Sequence, residues 1–238
     1  MTLPDELRAV FLDVGGPVYD DGNFVAAVVR ALDDLRAEQG REPVDRAAVH
    51  RVYDAVRARQ GGSLRTALAT ELLGDPALRG PLHERTRRYW THPPGSLYPD
   101  VLPLLRALSG QVVIGVLANQ EAPVVDALRR DGVAPFVDVW GISALVGHEK
   151  PSPELFTWCL DRAGCSAGQA VHVGNRLDTD VRPAAALGLG TVWVLRGEAP
   201  DSPTPGQLAE PDLAVPDLTG LADVLLPRVP SSAGGTGA

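Results

Sequence analysis

The chain has 238 residues, 45% of them hydrophobic, with a formal net charge of −8. That length suits one large domain or a core carrying an inserted subdomain, and the apolar fraction can fill a sizeable core. The acidic balance, with no long basic stretch, argues against nucleic acid as the main partner, and no run reaches the length of a transmembrane helix.

The N-terminus lacks the basic and apolar regions of a signal peptide, so a soluble, cytoplasmic protein without membrane association is expected. Cys159 and Cys165 are too few for a disulfide framework and match no common metal spacing, which reads as core or surface thiols.

In chain order, Val10-Phe11-Leu12 reads as a short core strand that ends at Asp13 and breaks at Gly15, Gly16 and Pro17. An isolated Asp there would merely cap a turn. A helical region follows: NFVAAVVRALDDLRAEQG up to Gly40, PVDRAAVHRVYDAVRARQGG with Pro43 and Asp45 at its start, then SLRTALATELLG and LRGPLHERTRRYW. THPPGSLYPD closes that series. From about Asp100 the texture alternates: helix DVLPLLRALSG, strand VVIGVLAN, helix APVVDALRRDGV, strand FVDVWGIS, helix SPELFTWCLDRAG, strand AVHVGN, helix TDVRPAAALG and strand TVWVLRG. A further strand is expected at DLAV and a helix at LTGLADVLL.

Strands alternating with helices over short connections imply a doubly wound parallel sheet, a Rossmann-like α/β core covered on both faces. The helical stretch is then an insertion between the first and second core strands. The expected organisation is a core over 1–18 and 96–228, a helical cap over 19–95 and a disordered tail over 229–238.

Such sheets bind ligands beyond the carboxyl ends of their strands, where strand order reverses. The first strand presents Asp13 there, the second Ala118-Asn119-Gln120, and a later one Gly174-Asn175 with Asp178 and Asp180 behind. Lys150, in GHEKPSPELF, is the only lysine in an arginine-rich chain. Such a residue fits a place that a compact ammonium fills and a planar guanidinium does not. An acid, an amide, an ammonium and a second acid cluster therefore converge from four segments, and a core needs none of them at strand tips.

In the order and spacing of FLDVGG, VLANQ, HEKPSPELF and HVGNRLDTDV, and in the place of the helical insertion, the chain resembles the haloacid dehalogenase superfamily. The resemblance implies a hydrolase acting on a small phosphorylated substrate through an aspartyl phosphate on Asp13. It implies that Lys150 supplies a point charge to Asp13 and the phosphate, and that Asn119 and the backbone at Ala118 and Asn119 hold phosphate oxygens. By the same resemblance, Mg²⁺ sits between Asp13, the Gly15 carbonyl and Asn175, with Asp180 behind it, and oxygen ligands suit that cation. Asp178 reads instead as a helix cap.

Three positions depart from the family pattern. Gly15 stands two residues past the nucleophile, where most phosphatases of the family carry an acid that handles protons. Ala118 replaces a hydroxyl. Asn175 replaces the first acid of the last motif, which removes a charge from the metal site. A slow or specialised enzyme is expected, since general acid–base help contributes ~10²–10⁴ in rate. Two other readings stand beside it: a binding or regulatory member of the family, and a metal-free dehalogenase using the Asn175–Asp178 spacing. In the cap, His83, Arg85, Arg87 and Arg88 read as a solvated helix face, with substrate contact as the alternative. The sequence does not name the substrate or the oligomeric state.

Overall fold

The structure, a computed structural model, describes residues 3–226. Its centre is β1 (Ala9–Leu12), whose four side chains are all buried. A strand buried on both sides reads as continuous apolar sequence, and AVFL is such a run. β2 (Val113–Ala118), β3 (Val139–Ile142), β4 (Ala170–Gly174), β5 (Gly190–Val194) and β6 (Leu213–Val215) complete one sheet in the order β3-β2-β1-β4-β5-β6. Every pairing is parallel.

Between β1 and β2 lie α1 (Gly22–Glu38), α2 (Arg46–Arg59), α3 (Leu64–Leu68) and α4 (Arg79–Tyr89). They share their own apolar core, including Val28, Leu32, Val49, Val56, Leu68 and Leu82. The remaining helices are α5 (Val101–Leu108), α6 (Val124–Arg130), α7 (Ser143–Val146), α8 (Pro153–Ala163), α9 (Arg182–Leu187), α10 (Pro205–Leu208) and α11 (Leu221–Leu225). Strand alternation sorts the sheet's two faces. Val10 and Leu12 pack with Leu104, Leu105, Val124, Leu128 and Leu221 of α5, α6 and α11. Ala9 and Phe11 pack with Leu155, Phe156, Cys159 and Ala184 of α8 and α9. Cys159 is thus a core thiol, Cys165 is half-buried, and both are free. Among the described residues, no helix is long and apolar enough to cross a membrane.

Some elements differ from expectation. FVDVWGIS was to be one strand, but Ala134–Phe136 forms a 3-10 turn and the strand begins at Val139. Asp138 accepts a hydrogen bond from Ile114 N at 2.9 Å, which fixes the start of the ladder. SLRTALATELLG is α3 followed by a π turn over Ala69–Leu73 that stops at Gly74. TDVRPAAALG likewise begins as a π turn, Leu177–Val181, before α9. The expected tail over 229–238 lies outside the described residues.

The end of α2 ties the insert to the sheet. Gln60 is buried, donates to Glu198 O at 2.8 Å and accepts from Leu177 N at 2.9 Å. Arg182 donates to Gln60 O at 2.8 Å, and Arg176 to Gly62 O at 3.2 Å. This fastening holds the insert over the carboxyl ends of β1, β2 and β4.

Candidate active site

β1 and β4 are adjacent, and the chain leaves them toward opposite edges of the sheet, so the strand order reverses between them. The crevice beyond their carboxyl ends is the expected ligand position. A cavity of about 450 Å³ lies there, lined by Asp13, Gly15, Asn119 and Lys150 from the sheet side and by Phe24, Arg65 and Trp90 from the insert.

Lys150 is 4% exposed. Its Nζ lies 2.9 Å from Asp13 Oδ1 and 2.5 Å from Asp180 Oδ1. Burial works against the ammonium, yet the two carboxylates together hold its pKa above the ordinary lysine value. Burial pushes the Asp13 carboxyl up to about 6, against the pull of Lys150 and with a push from Asp180. Burial also raises Asp180, but Lys150 and His172 outweigh it and leave Asp180 below the ordinary carboxylate range. Asp180 therefore stays ionised as the fixed counter-charge. Its Oδ2 accepts from Asn175 N at 3.1 Å and Arg176 N at 2.9 Å, and its Oδ1 faces His172 Nε2 at 3.3 Å. Burial lowers the His172 pKa, so the ring is neutral at pH 7.

Asn119 lines the cavity and its side chain also ties down the lysine loop. Its Nδ2 donates to Lys150 O at 2.8 Å and its Oδ1 accepts from Lys150 N at 2.7 Å. One N–H and the oxygen of the carboxamide fix the lysine loop. Ala118 is fully buried at the end of β2. Asn175 is buried, donates weakly to Arg196 O at 3.3 Å, and lies against Gly16. Gly16 has φ +87°, and a Cβ there would stand 2.0 Å from Asn175 Nδ2, so only glycine fits this approach.

Asp178 makes no capping hydrogen bond, although it does place a carboxylate in the first turn of the segment Leu177–Val181, as expected of an acid that offsets a helix dipole. The π turn has no side-chain cap, and Asp178 pairs with Arg176 at 2.7 Å on the cavity wall. It is thus Asp180, and not the Asp178 of the dehalogenase spacing, that reaches Lys150. His83, Arg85, Arg87 and Arg88 are not on the cavity wall. Arg85 pairs with Glu38, Arg87 with Glu84 and Glu121, and Arg88 is exposed.

Three residues escaped the sequence reading. Arg196 donates to Gly16 O at 2.9 Å and Pro17 O at 2.5 Å, pairs with Asp100 at 2.7 Å, and stacks 3.8 Å over Tyr98. It shapes the loop after Asp13. Asp21 lines the cavity beside Gly15: a Cβ on Gly15 would lie 3.0 Å from Asp21 Oδ1. Burial, then Glu198, Asp13 and Asp20, push the Asp21 carboxyl well above the ordinary range. Arg65 lines the opposite wall. The adjacent acids Asp20-Asp21 at the start of the insert were the available signal for the second of these.

Of the groups expected around a hard cation, Asp13 and Gly15 lie on the cavity wall, Asn175 is buried with its Nδ2 against Gly16, and Asp180 is engaged by Lys150, His172 and two backbone N–H groups. Among the described residues no group of three or more His, Cys, Asp or Glu is placed to hold a metal. The donors fit Mg²⁺ in kind, as oxygens, with a single carboxylate among them.

A family model described as haloacid dehalogenase-like hydrolase matches residues 7–188. A glyceraldehyde 3-phosphate phosphatase from Methanopyrus kandleri is 34% identical over 134 residues, covering 54% of this chain and 56% of that protein. The chain thus spans little more than half of that relative. A phosphoserine phosphatase from Thermus thermophilus is 30% identical over 237 residues, with 89% of each chain covered. The putative hydrolase YfnB from Bacillus subtilis, solved bound to magnesium, superposes with a TM-score of 0.64 at 21% identity over 93% of this chain and 99% of that one.

Proposed function

The chain belongs to the haloacid dehalogenase-like hydrolases, and from that premise we propose that it hydrolyses small phosphate monoesters through a phosphoryl group carried on Asp13. The observation that carries this reading is the carboxylate of Asp13 at the tip of β1, held 2.9 Å from a buried ammonium and opening on a walled cavity. Phosphoryl transfer asks mostly for positioning and charge neutralisation, and this arrangement offers both. The insert acts as a cap that screens the cavity from water.

In the first step an Asp13 oxygen attacks phosphorus and the bond to the leaving oxygen breaks. Lys150 balances the gathering negative charge. Asp21 gives the leaving oxygen its proton, because its carboxyl lies beside Gly15 on the cavity wall and burial favours its protonated form. In the second step a water attacks phosphorus, Asp21 takes the water's proton, and Asp13 is regenerated with release of phosphate. Asp13, the Gly15 carbonyl and Asn175, with Asp180 behind them, would hold Mg²⁺, which when bound supplies further neutralisation of the phosphoryl oxygens.

The test is phosphate release from 4-nitrophenyl phosphate and from simple alkyl phosphates, with Mg²⁺ and with chelator. Mg²⁺-stimulated release that is lost in Asp13→Asn is expected. Asp21→Asn should lower alkyl ester turnover by ~10²–10⁴ and spare the aryl ester, whose leaving group needs no proton. Halide release from a haloacid in chelator, without phosphatase activity, would overturn the reading. Equal losses on both ester types would remove Asp21 from proton transfer.

A further inference from the structure

The cations of the cavity differ in one respect. Lys150 is matched by Asp13 and Asp180, and Arg176 by Asp178 and Glu198 at 2.7 and 3.3 Å. Arg65 is not matched. Among the described residues its side chain makes no hydrogen bond or ion pair, and its Nε is buried without a partner. Its guanidinium lies 5.8 Å from the centroid of Phe24, a weak contact. Arg79, also unpaired, lines the same wall and is close enough to repel Arg65. Glu149 and Glu198 line the cavity as well and are felt by Arg65, but neither reaches it.

A guanidinium stays charged at neutral pH, and sheltering one without a partner is unfavourable. An anion entering between Arg65 and Arg79 would relieve both the missing hydrogen bonds and the mutual repulsion. The planar fork of arginine is suited to two oxygens of a carboxylate or phosphate. Phe24, Leu64 and Trp90 give the same wall an apolar surface for a short carbon chain.

We propose that Arg65, assisted by Arg79, binds a second anionic group on the leaving portion of the substrate, so that the substrate class is a phosphorylated acid or a bisphosphate. The inference rests on the phosphohydrolase reading for where the first phosphate sits. A neutral phosphorylated alcohol would leave Arg65 as it stands, without a partner.

The test measures binding to the full chain by calorimetry, using analogues that cannot be hydrolysed. Alkylphosphonates are compared with ω-phosphonocarboxylates and α,ω-bisphosphonates of matched carbon chain, over a short series of chain lengths. At the best length a dianionic ligand should bind the wild-type protein about tenfold or more tightly than the alkylphosphonate. The carboxylate and bisphosphonate arms distinguish the two sources of the second anion. In Arg65→Gln, checked for an unchanged unfolding midpoint, the ratio should fall toward one, and Arg79→Gln should lower it less. Equal affinities across the ligand classes on the wild-type protein would overturn the proposal, whatever the variants do. A preference that survives Arg65→Gln would overturn the assignment to Arg65. Turnover of 4-nitrophenyl phosphate is scored separately: its absence alongside a dianion preference would sink hydrolysis and leave the anion subsite standing.

Discussion

Removing the Lys150 ammonium tests both the site and its role in the fold. Its Nζ lies 2.9 Å from one carboxylate and 2.5 Å from another, and the residue is 4% exposed. At an effective dielectric constant near 20, each contact is worth about 6–7 kcal/mol of attraction, much of it offset by desolvation of the three charges. Lys150→Met keeps the length of the side chain and strands Asp13 and Asp180 as buried, unpaired carboxylates. Breaking such a pair costs about 3–5 kcal/mol, which in a chain of this size lowers the melting temperature by about 6–20 °C. The double variant Lys150→Met/Asp180→Asn should recover about 1–2 kcal/mol, because one stranded charge is gone while Asn still accepts from the backbone at 175 and 176. Lys150→Arg keeps the charge but forces a larger planar group into a filled site, so a loss of about 1–3 kcal/mol and most of the turnover is expected. The assay is urea unfolding followed by tryptophan fluorescence at pH 7, together with kcat/KM on 4-nitrophenyl phosphate. Lys150→Met within about 0.5 kcal/mol of wild type would refute the buried network. Near-normal kcat/KM in Lys150→Arg would refute the argument from ammonium shape.

Three further substitutions probe the loop and the insert. Gly16→Ala should cost well over the ~1–2 kcal/mol of a left-handed backbone, because its Cβ would fall 2.0 Å from Asn175 Nδ2, and turnover should drop with it. Gly40→Ala has φ +67° and nothing within 4 Å, so it should cost the backbone term alone; equal unfolding midpoints for the two would refute the contact argument. His92 carries a ring whose Nε2 is buried without a partner, between Tyr19 at 4.8 Å and Trp90 at 5.4 Å. Burial lowers its pKa from 6.5 to about 4, with Arg130 adding to the effect. The folded chain refuses a proton that the unfolded chain takes, so stability is intact above about pH 6.5 and falls as pH drops toward 4. The loss is about 2–3 kcal/mol at pH 4, allowing for the ring's partial exposure. His92→Phe should remove that loss in urea titrations at pH 7 and 4.5, and an unchanged difference between the two would sink the assignment.

The parts of this molecule that were legible in its sequence are those with one physical solution. AVFL is apolar throughout, and AVHVG is apolar but for His172, because both faces of a parallel strand are covered, so β1 and β4 stand out without any periodicity. Asp13 and Asn175 were legible because polar groups at the ends of such strands serve no core, and Lys150 because it is the only lysine of the chain. What stayed hidden depends on how the chain turns back. Arg85, Arg87 and Arg88 of α4 stand out in the sequence, yet the arginines of the insert that line the cavity are Arg65 at the start of α3 and Arg79 at the start of α4, which no pattern separates from their neighbours. The case of Asp21 goes further. Read linearly, Gly15 marks a missing acid, and Gly15→Asp is the obvious repair. In space the loop closes on itself: Gly16 N donates to Tyr19 O and Tyr19 N to Val14 O, both at 2.9 Å, which returns the chain to Gly15 with Asp21 two residues on. A carboxyl from position 21 stands beside the place where the chain has none at 15: a Cβ at Gly15 would lie 3.0 Å from Asp21 Oδ1, a tight contact to which the Asp21 side chain would have to yield. Gly15 leaves that contact unstrained, and an acid at 15 would set a second carboxyl against Asp21, which would have to shift to admit it.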